Sequence, residues 1–313
     1  MKKEFIQVNE VSLGTIFDDK VDERPLLIYV HGGPLYPESA IITKYFPQIS
    51  QFFQCVFPEM RGAGMNATID ITDGKAVFDD FASDVKEITR HFLERFNKKK
   101  AFILGHSFGT VTASKVVKAY PELYHAYIGV GQVNDMYEHN KIVYDFMLTT
   151  AKNKNKKKLM AKLENNKNRA YLSSKEFFLS SQQITAAERK TIFHTRKYGS
   201  FQTIKDVFSY KLYSFTEKKQ FFGALFSSKL MTFLTNDMFD MNIGEEIESL
   251  VIPMYLFAGK HDLMACTEQA LAFYDKIDAP KKSFYTYENS AHFPMFDEPQ
   301  KFEKDLQEII AAF

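Results

Sequence analysis

Cysteine is nearly missing from this 313-residue chain. Its two thiols, Cys55 in a strand-like run and Cys266 in a loop, make no disulfide framework and are read as reduced. Charge of one sign is missing as well: 40 Lys and Arg stand against 39 Asp and Glu, a formal net charge of +1, which excludes the basic bias of a dedicated nucleic-acid binder. No uninterrupted apolar run reaches the ~18 residues of a membrane-spanning helix. No apolar stretch follows Met1-Lys2-Lys3-Glu4 as a signal peptide would require, so a cytoplasmic location and no membrane partner are expected. Internal repeats and long Pro/Gly/Ser linkers are absent. The eight histidines show no metal-ligand spacing, so neither a metal nor a cofactor is implied. What remains, 45% hydrophobic and 25% charged residues, suffices for one large domain or a core plus an insert, and leaves the oligomeric state open.

Against these absences stands Gly105-His106-Ser107-Phe108-Gly109. It follows the apolar run Ala101 to Leu104 and precedes a helix-compatible stretch from Phe108 to Tyr120, the strand-turn-helix setting of a nucleophile elbow. So tight a turn brings the residues two before and two after the serine almost into contact, so both must lack a side chain. A serine hydroxyl needs a base, and the base needs an orienting carboxylate. Ile252 to Gly259 reads as a buried strand leading into Lys260-His261-Asp262, and Ser283 to Tyr287 as a strand leading into Glu288-Asn289-Ser290-Ala291-His292. Ser107, Asp262 and His292 are therefore the candidate catalytic residues, each beyond the C-terminal end of a strand, where ligands gather in parallel sheets. His261 competes weakly as base, and His31 and His106 are read as hydrogen-bonded scaffolding. An acyl-transfer serine also needs N–H donors for the oxyanion. Phe108 supplies one at the start of the helix. Gly33, in His31-Gly32-Gly33-Pro34 after the strand Pro25 to Val30, supplies the second, with Gly32 as fallback and Pro34 stiffening the exit.

Elsewhere, Phe5 to Phe17 reads as a hairpin turning near Asn9-Glu10, Phe52 to Phe57 and Ala126 to Val130 as strands, and Phe78 to Phe96 as an amphipathic helix buried through Phe81, Val85, Ile88, Phe92 and Leu93. Gly62-Ala63-Gly64 loosely matches a dinucleotide fingerprint, but Thr68 to Gly74 opens no helix toward a pyrophosphate. These glycines are read instead as the turn carrying Arg61 inward to a structural ion pair. The lysine run from Lys152 to Lys158 is read as a solvated helix end.

With these motifs the chain resembles the α/β-hydrolase superfamily and, within it, the proline iminopeptidase-like branch of serine peptidases. The resemblance rests on His31-Gly32-Gly33-Pro34, Arg61-Gly62-Ala63-Gly64, Gly105 to Gly109, and Asn289-Ser290-Ala291-His292-Phe293-Pro294 running to Glu298-Pro299. Leu35, Met60, Asn66 and Phe108 depart from the branch, which more often has glycine, glutamine, serine and tryptophan there; this chain has no tryptophan. The resemblance implies an α/β fold: a mostly parallel eight-stranded sheet flanked by helices. The core would comprise residues 1–133 and 247–313, and the lysine-rich, aromatic segment 134–246 a helical cap over the site, packed on the core. It further implies a serine hydrolase working through an acyl-enzyme on a small-molecule or short-peptide substrate: an aminopeptidase, or alternatively a carboxylesterase acting on small apolar esters. A non-catalytic binding protein of this fold is disfavoured by the three residues being present together. An aminopeptidase needs a cap carboxylate for the substrate amine, from among Glu164, Glu176, Glu188, Glu217, Asp237, Asp240, Glu245 and Glu246. Among the cap aromatics Phe177, Phe178, Phe193, Phe208, Tyr210, Tyr213, Phe221, Phe222, Phe226 and Phe233, most are expected in the core between helices.

Overall fold

The computed structural model describes residues 1–33, 35–71, 76–165, 167, 193–195, 200–225 and 241–313. Eight strands form one sheet: β1 Lys2–Val8, β2 Val11–Phe17, β3 Leu26–Val30, β4 Gln54–Pro58, β5 Ala101–His106, β6 Tyr124–Val130, β7 Met254–Gly259 and β8 Lys282–Tyr287. Their spatial order is β1-β2-β4-β3-β5-β6-β7-β8. The first two strands form the expected hairpin, turning through Asn9 at φ 51°, a conformation asparagine tolerates. That hairpin joins the sheet antiparallel through β2 and β4, and every later pairing is parallel.

Strands β3, β4, β5 and β7 are buried along their whole length, which explains why they read as unbroken apolar runs. Successive residues serve opposite faces. Leu26, Ile28 and Ile103 pack with Phe81, Val85, Ile88 and Phe92 of α1, the helix Ala76–Arg95, and with Val111 and Val117 of α2, the helix Gly109–Ala119. Leu27, Tyr29, Leu104 and Phe257 pack with Ile41 and Ile42 and with Phe302, Leu306 and Ile309 near the C-terminus. Phe92 alone meets Phe17 at 5.0 Å and Phe96 at 5.5 Å between ring centroids. Burial of each such ring contributes about 1.5–3 kcal/mol.

The chain leaves β3 toward β4 on one side and later returns to start β5 on the other. The loops after β3 and β5 therefore diverge, and the crevice between them is where open α/β sheets place their ligands. The insert between β6 and β7 leaves the core at Asp135 and re-enters at Asn242, which bridge one another. Each caps a helix: Asp135 accepts from the Glu138 N–H, Asn242 from the Glu245 N–H, and the Asn242 amide donates to Asp135 at 3.0 Å. Lys152 to Lys158 are exposed, as a solvated helix end requires.

Described parts of the insert rest directly on the core. Phe193, Val207, Tyr213 and Phe221 are buried in the same cluster as β3 and β5 side chains, and Phe193 stacks on Phe293 at 5.6 Å. Tyr210 and Phe222 are half-buried and Phe208 is 44% exposed. Phe177, Phe178, Phe226 and Phe233 lie outside the described residues, as does Pro34.

Candidate active site

Ser107 adopts φ 54°, the left-handed conformation a non-glycine residue holds only when its surroundings over-determine it. Those surroundings are close backbone approaches. A Cβ at Gly105 would lie 2.6 Å from the Gly109 carbonyl oxygen, and one at Gly109 only 2.1 Å from the Val30 oxygen. The glycine requirement read from the sequence is thus met, with an addition: Gly109 is pressed against the end of β3 as well as against Gly105. The Ser107 N–H donates to the Val130 carbonyl at 2.8 Å, and Thr110 Oγ1 donates to the Ser107 carbonyl at 2.6 Å. The elbow is thereby tied to β6 and to the first turn of α2. Its serine is half-buried.

Phe108 forms the N-cap of α2, and its side chain is core, with its ring 5.7 Å from Phe78 and 6.5 Å from Phe81. Only its backbone therefore belongs to the site. Gly33 takes φ 117°, and a Cβ there would meet the Tyr36 nitrogen at 2.4 Å, so this loop accepts glycine alone. A Cβ at the neighbouring Gly32 would meet the Ser107 Cβ at 2.9 Å, which brings the loops after β3 and β5 together.

His292 and Asp262 meet as expected. His292 Nδ1 lies 2.7 Å from Asp262 Oδ2, with the two side chains 3% and 1% exposed. Asp262 Oδ1 accepts from the Met264 and Ala265 N–H groups at 2.7 and 3.0 Å. A carboxylate so held is an acceptor, so His292 donates from Nδ1, which leaves Nε2 on the opposite edge of the ring. Both residues adjoin the elbow. The His106 ring lies 4.7 Å from the His292 ring, and a Cβ at Gly131, next after the carbonyl that holds Ser107, would lie 3.3 to 3.4 Å from the His292 ring and Asp262. His261 is placed elsewhere: its N–H donates to the Ser290 carbonyl and its ring stacks on His194 at 3.9 Å.

The scaffolding histidines differ in their surroundings. His31 donates from Nδ1 to the Gly32 carbonyl at 2.7 Å and accepts the Met60 N–H on Nε2 at 3.0 Å. Burial pushes its proton affinity down, consistent with a neutral ring. His106 Nδ1 lies 2.7 Å from Glu38 Oε1 and Nε2 lies 2.9 Å from the His292 carbonyl. Burial alone would strip this ring of its proton, but the Glu38 carboxylate outweighs it and holds the ring above the ordinary histidine range. The ring in turn keeps Glu38 below the ordinary carboxylate range despite its burial. Tyr29 donates to the other Glu38 oxygen at 2.9 Å.

Sequence reasoning missed Glu38 and a second buried acid, Glu59, which ends beyond β4. Burial pushes Glu59 up to about 8, although Tyr213 of the insert hydrogen-bonds one oxygen and the Met65 N–H donates to the other at 2.7 Å. The inward ion pair of Arg61 is present, with Nε and Nη2 on the two Asp84 oxygens at 2.7 and 2.6 Å. The branch departures are buried packing: Leu35 and Met60 are core, and Asn66 ties the Gly14 N–H to the Glu59 carbonyl. Three of the expected cap carboxylates are engaged elsewhere, Glu217 by Lys3, Glu245 by Lys276 and Glu246 by Lys115, and Glu164 is exposed. Glu176, Glu188, Asp237 and Asp240 lie outside the described residues. No cluster of metal-ligating side chains occurs among the described residues, and no described helix is long and apolar enough to cross a membrane.

The site thus combines a serine elbow at the sheet's switch point with a buried histidine and aspartate beyond β8 and β7. The chain belongs to the α/β-hydrolase family: residues 25–299 match the family described as alpha/beta hydrolase fold, and the protein is a hydrolase. It is 26% identical to "Probable aminopeptidase YbaC" of Bacillus subtilis (strain 168), over 97% of this chain and 96% of that one. In fold it is similar to proline iminopeptidase of Mycobacterium smegmatis, with TM-score 0.67, 13% identity and coverage of 99% and 98% of the two chains. An esterase of Exiguobacterium antarcticum matches with TM-score 0.58, 14% identity and coverage of 99% and 100%.

Proposed function

We propose that the protein is a serine hydrolase in which Ser107 attacks a carbonyl, His292 takes its proton through Nε2, and Asp262 fixes the imidazole tautomer. The Phe108 and Gly33 amides stabilise the oxyanion. The leaving group departs with the proton held by His292, and water, activated by the same ring, hydrolyses the acyl-enzyme. The buried 2.7 Å contact between His292 and Asp262, beside a serine held in the left-handed elbow, carries this reading. The insert between Asp135 and Asn242 acts as the cap that selects substrate, because its residues Phe193 and Tyr213 reach the His292 loop and the β4 end respectively.

The preferred substrate is a short peptide cleaved at its N-terminal residue, as the near full-length similarity to an aminopeptidase suggests. A carboxylesterase acting on small apolar esters is the second reading. It is favoured by the engagement of Glu217, Glu245 and Glu246 away from any substrate amine. Comparing kcat/KM for proline arylamide and for a short-chain nitrophenyl ester separates the two. Labelling by a fluorophosphonate that is lost in Ser107→Ala supports either; labelling that survives the substitution refutes both.

A further inference from the structure

We propose that Glu38 and His106 form a buried ion pair that positions His292 and sets the pH range over which it works as a base, a role that rests on the reading of His292 as that base. The pair lies wholly inside the protein, with side chains 3% and 0% exposed. Isolated charges are not kept there, so the arrangement survives only with every polar atom partnered. Each is. Glu38 accepts from Tyr29 on one oxygen and from His106 on the other, while the opposite nitrogen of His106 donates to the main-chain carbonyl of His292 at 2.9 Å. A neutral imidazole has one N–H, but the two acceptors on opposite edges call for two, and the carboxylate supplies the charge that makes the second possible.

Two consequences follow for His292. Its backbone is anchored to β5 through His106, independently of the Asp262 contact that orients its ring. Its ring also lies 4.7 Å from the charged His106 ring, with Glu38 on the far edge, so the nearer member of the pair is the positive one. That charge opposes protonation of His292, while Asp262 favours it. The remaining titratable neighbours leave this balance intact. His31, beside Glu38 and His106, is pushed down by burial, and His139, on the helix Met136–Asn153 near Asp262 and His292, is pushed down to about 4, so both rings are neutral at working pH.

Glu38→Gln is the informative variant. A glutamine amide can donate to His106 Nδ1 while its oxygen accepts from Tyr29, so every hydrogen bond survives around a neutral His106 and only the charge is lost. The expected result is a fall in kcat of about five- to fiftyfold with little change in KM. The acid limb of kcat/KM should move to higher pH by about half a unit or more. Glu38→Asp, which keeps the charge, should hold the limb at its wild-type position even if kcat falls. The same preparations, labelled with isotopic histidine, give the titration midpoint of the His292 ring by NMR without reference to turnover. A midpoint and a kinetic limb that rise together support the proposal. If both stay in place in Glu38→Gln, the proposal is overturned. If the ring midpoint rises and the kinetic limb does not follow, the influence of the pair on His292 stands and His292 is not the base. Should Glu38→Gln fail to fold, His106→Gln places an uncharged donor near the His292 carbonyl. It must give the same upward displacement for the proposal to hold.

Discussion

The loops at the C-terminal ends of the strands and the insert above them are held by different kinds of contact. At the strand ends, backbone meets backbone: Gly105 approaches Gly109, and Gly109 approaches Val30, each too closely for a side chain. The insert is fastened through long side chains: Lys3 to Glu217, Lys44 and Tyr45 to Asp206, and Tyr213 to Glu59. On the proposed reading, chemistry that must hold atoms to a fraction of an ångström is built on the first kind of contact, and a surface that has to accommodate substrate on the second.

The sharpest test of the first region is removal of its proposed reacting groups. Ser107→Ala is expected to lower kcat by about 10⁴-fold or more, and Asp262→Asn by a similar factor, because the amide would hold His292 in the wrong tautomer. Steady-state turnover with either substrate class reads both losses. Retained turnover in Ser107→Ala would break the comparison at its base.

Next comes the backbone itself. In Gly109→Ala a methyl group would have to sit 2.1 Å from the Val30 oxygen, so the elbow and the end of β3 must separate. We expect a loss of at least about 3 kcal/mol in denaturant unfolding, or no folded product, in line with overpacking at a rigid site.

The same contrast explains what could be read from the sequence. Ser107 and Asp262 each follow an apolar strand, His292 follows the aromatic strand β8, and the elbow's glycines answer a local steric demand, so each signal is local in the sequence. Arg61 was legible for the same reason, being carried inward by a glycine turn. Glu38 had no such signature: it precedes a short helix, and its meaning comes from His106, 68 positions away. Glu59 pairs with Tyr213 across 154 positions, and Glu217 with Lys3 across 214. Such pairs exist only once the sheet order is known. Which of the cap aromatics would be the exposed exception, Phe208, was not legible, because composition does not show which face of a helix a neighbour covers.

The insert's fastening should respond to pH where the strand-end contacts do not. Folded Glu59 keeps its proton up to about 8, whereas an unperturbed glutamate releases it near 4.5. The folded chain therefore binds more protons than the unfolded chain between those values. The contribution of this site to stability is full below the lower value and is lost as pH rises through about 8. Thermal midpoints measured from pH 5 to 9 should decline more steeply in the wild type than in Glu59→Gln, which keeps a partner for Tyr213 and removes the titration. Parallel slopes for the two proteins would show that Glu59 is ionised in the folded state.

The smallest effect expected is also the cleanest contrast with Gly109. Gly223 lies in the insert helix Phe215–Leu225, and a Cβ there would meet nothing within 4 Å. Its backbone is helical, so alanine fits without strain and lowers the conformational freedom of the unfolded chain. Gly223→Ala should therefore raise stability by about 0.5–1 kcal/mol and leave kcat unchanged. One methyl group would thus disrupt the protein at one glycine and stabilise it at another, because the first is wedged between the Ser107 elbow and β3 and the second only continues a helix. A loss of activity in Gly223→Ala, with stability retained, would mean that the insert helix must bend during turnover, and the division between a rigid site and a side-chain-fastened cap would have to be redrawn at that residue.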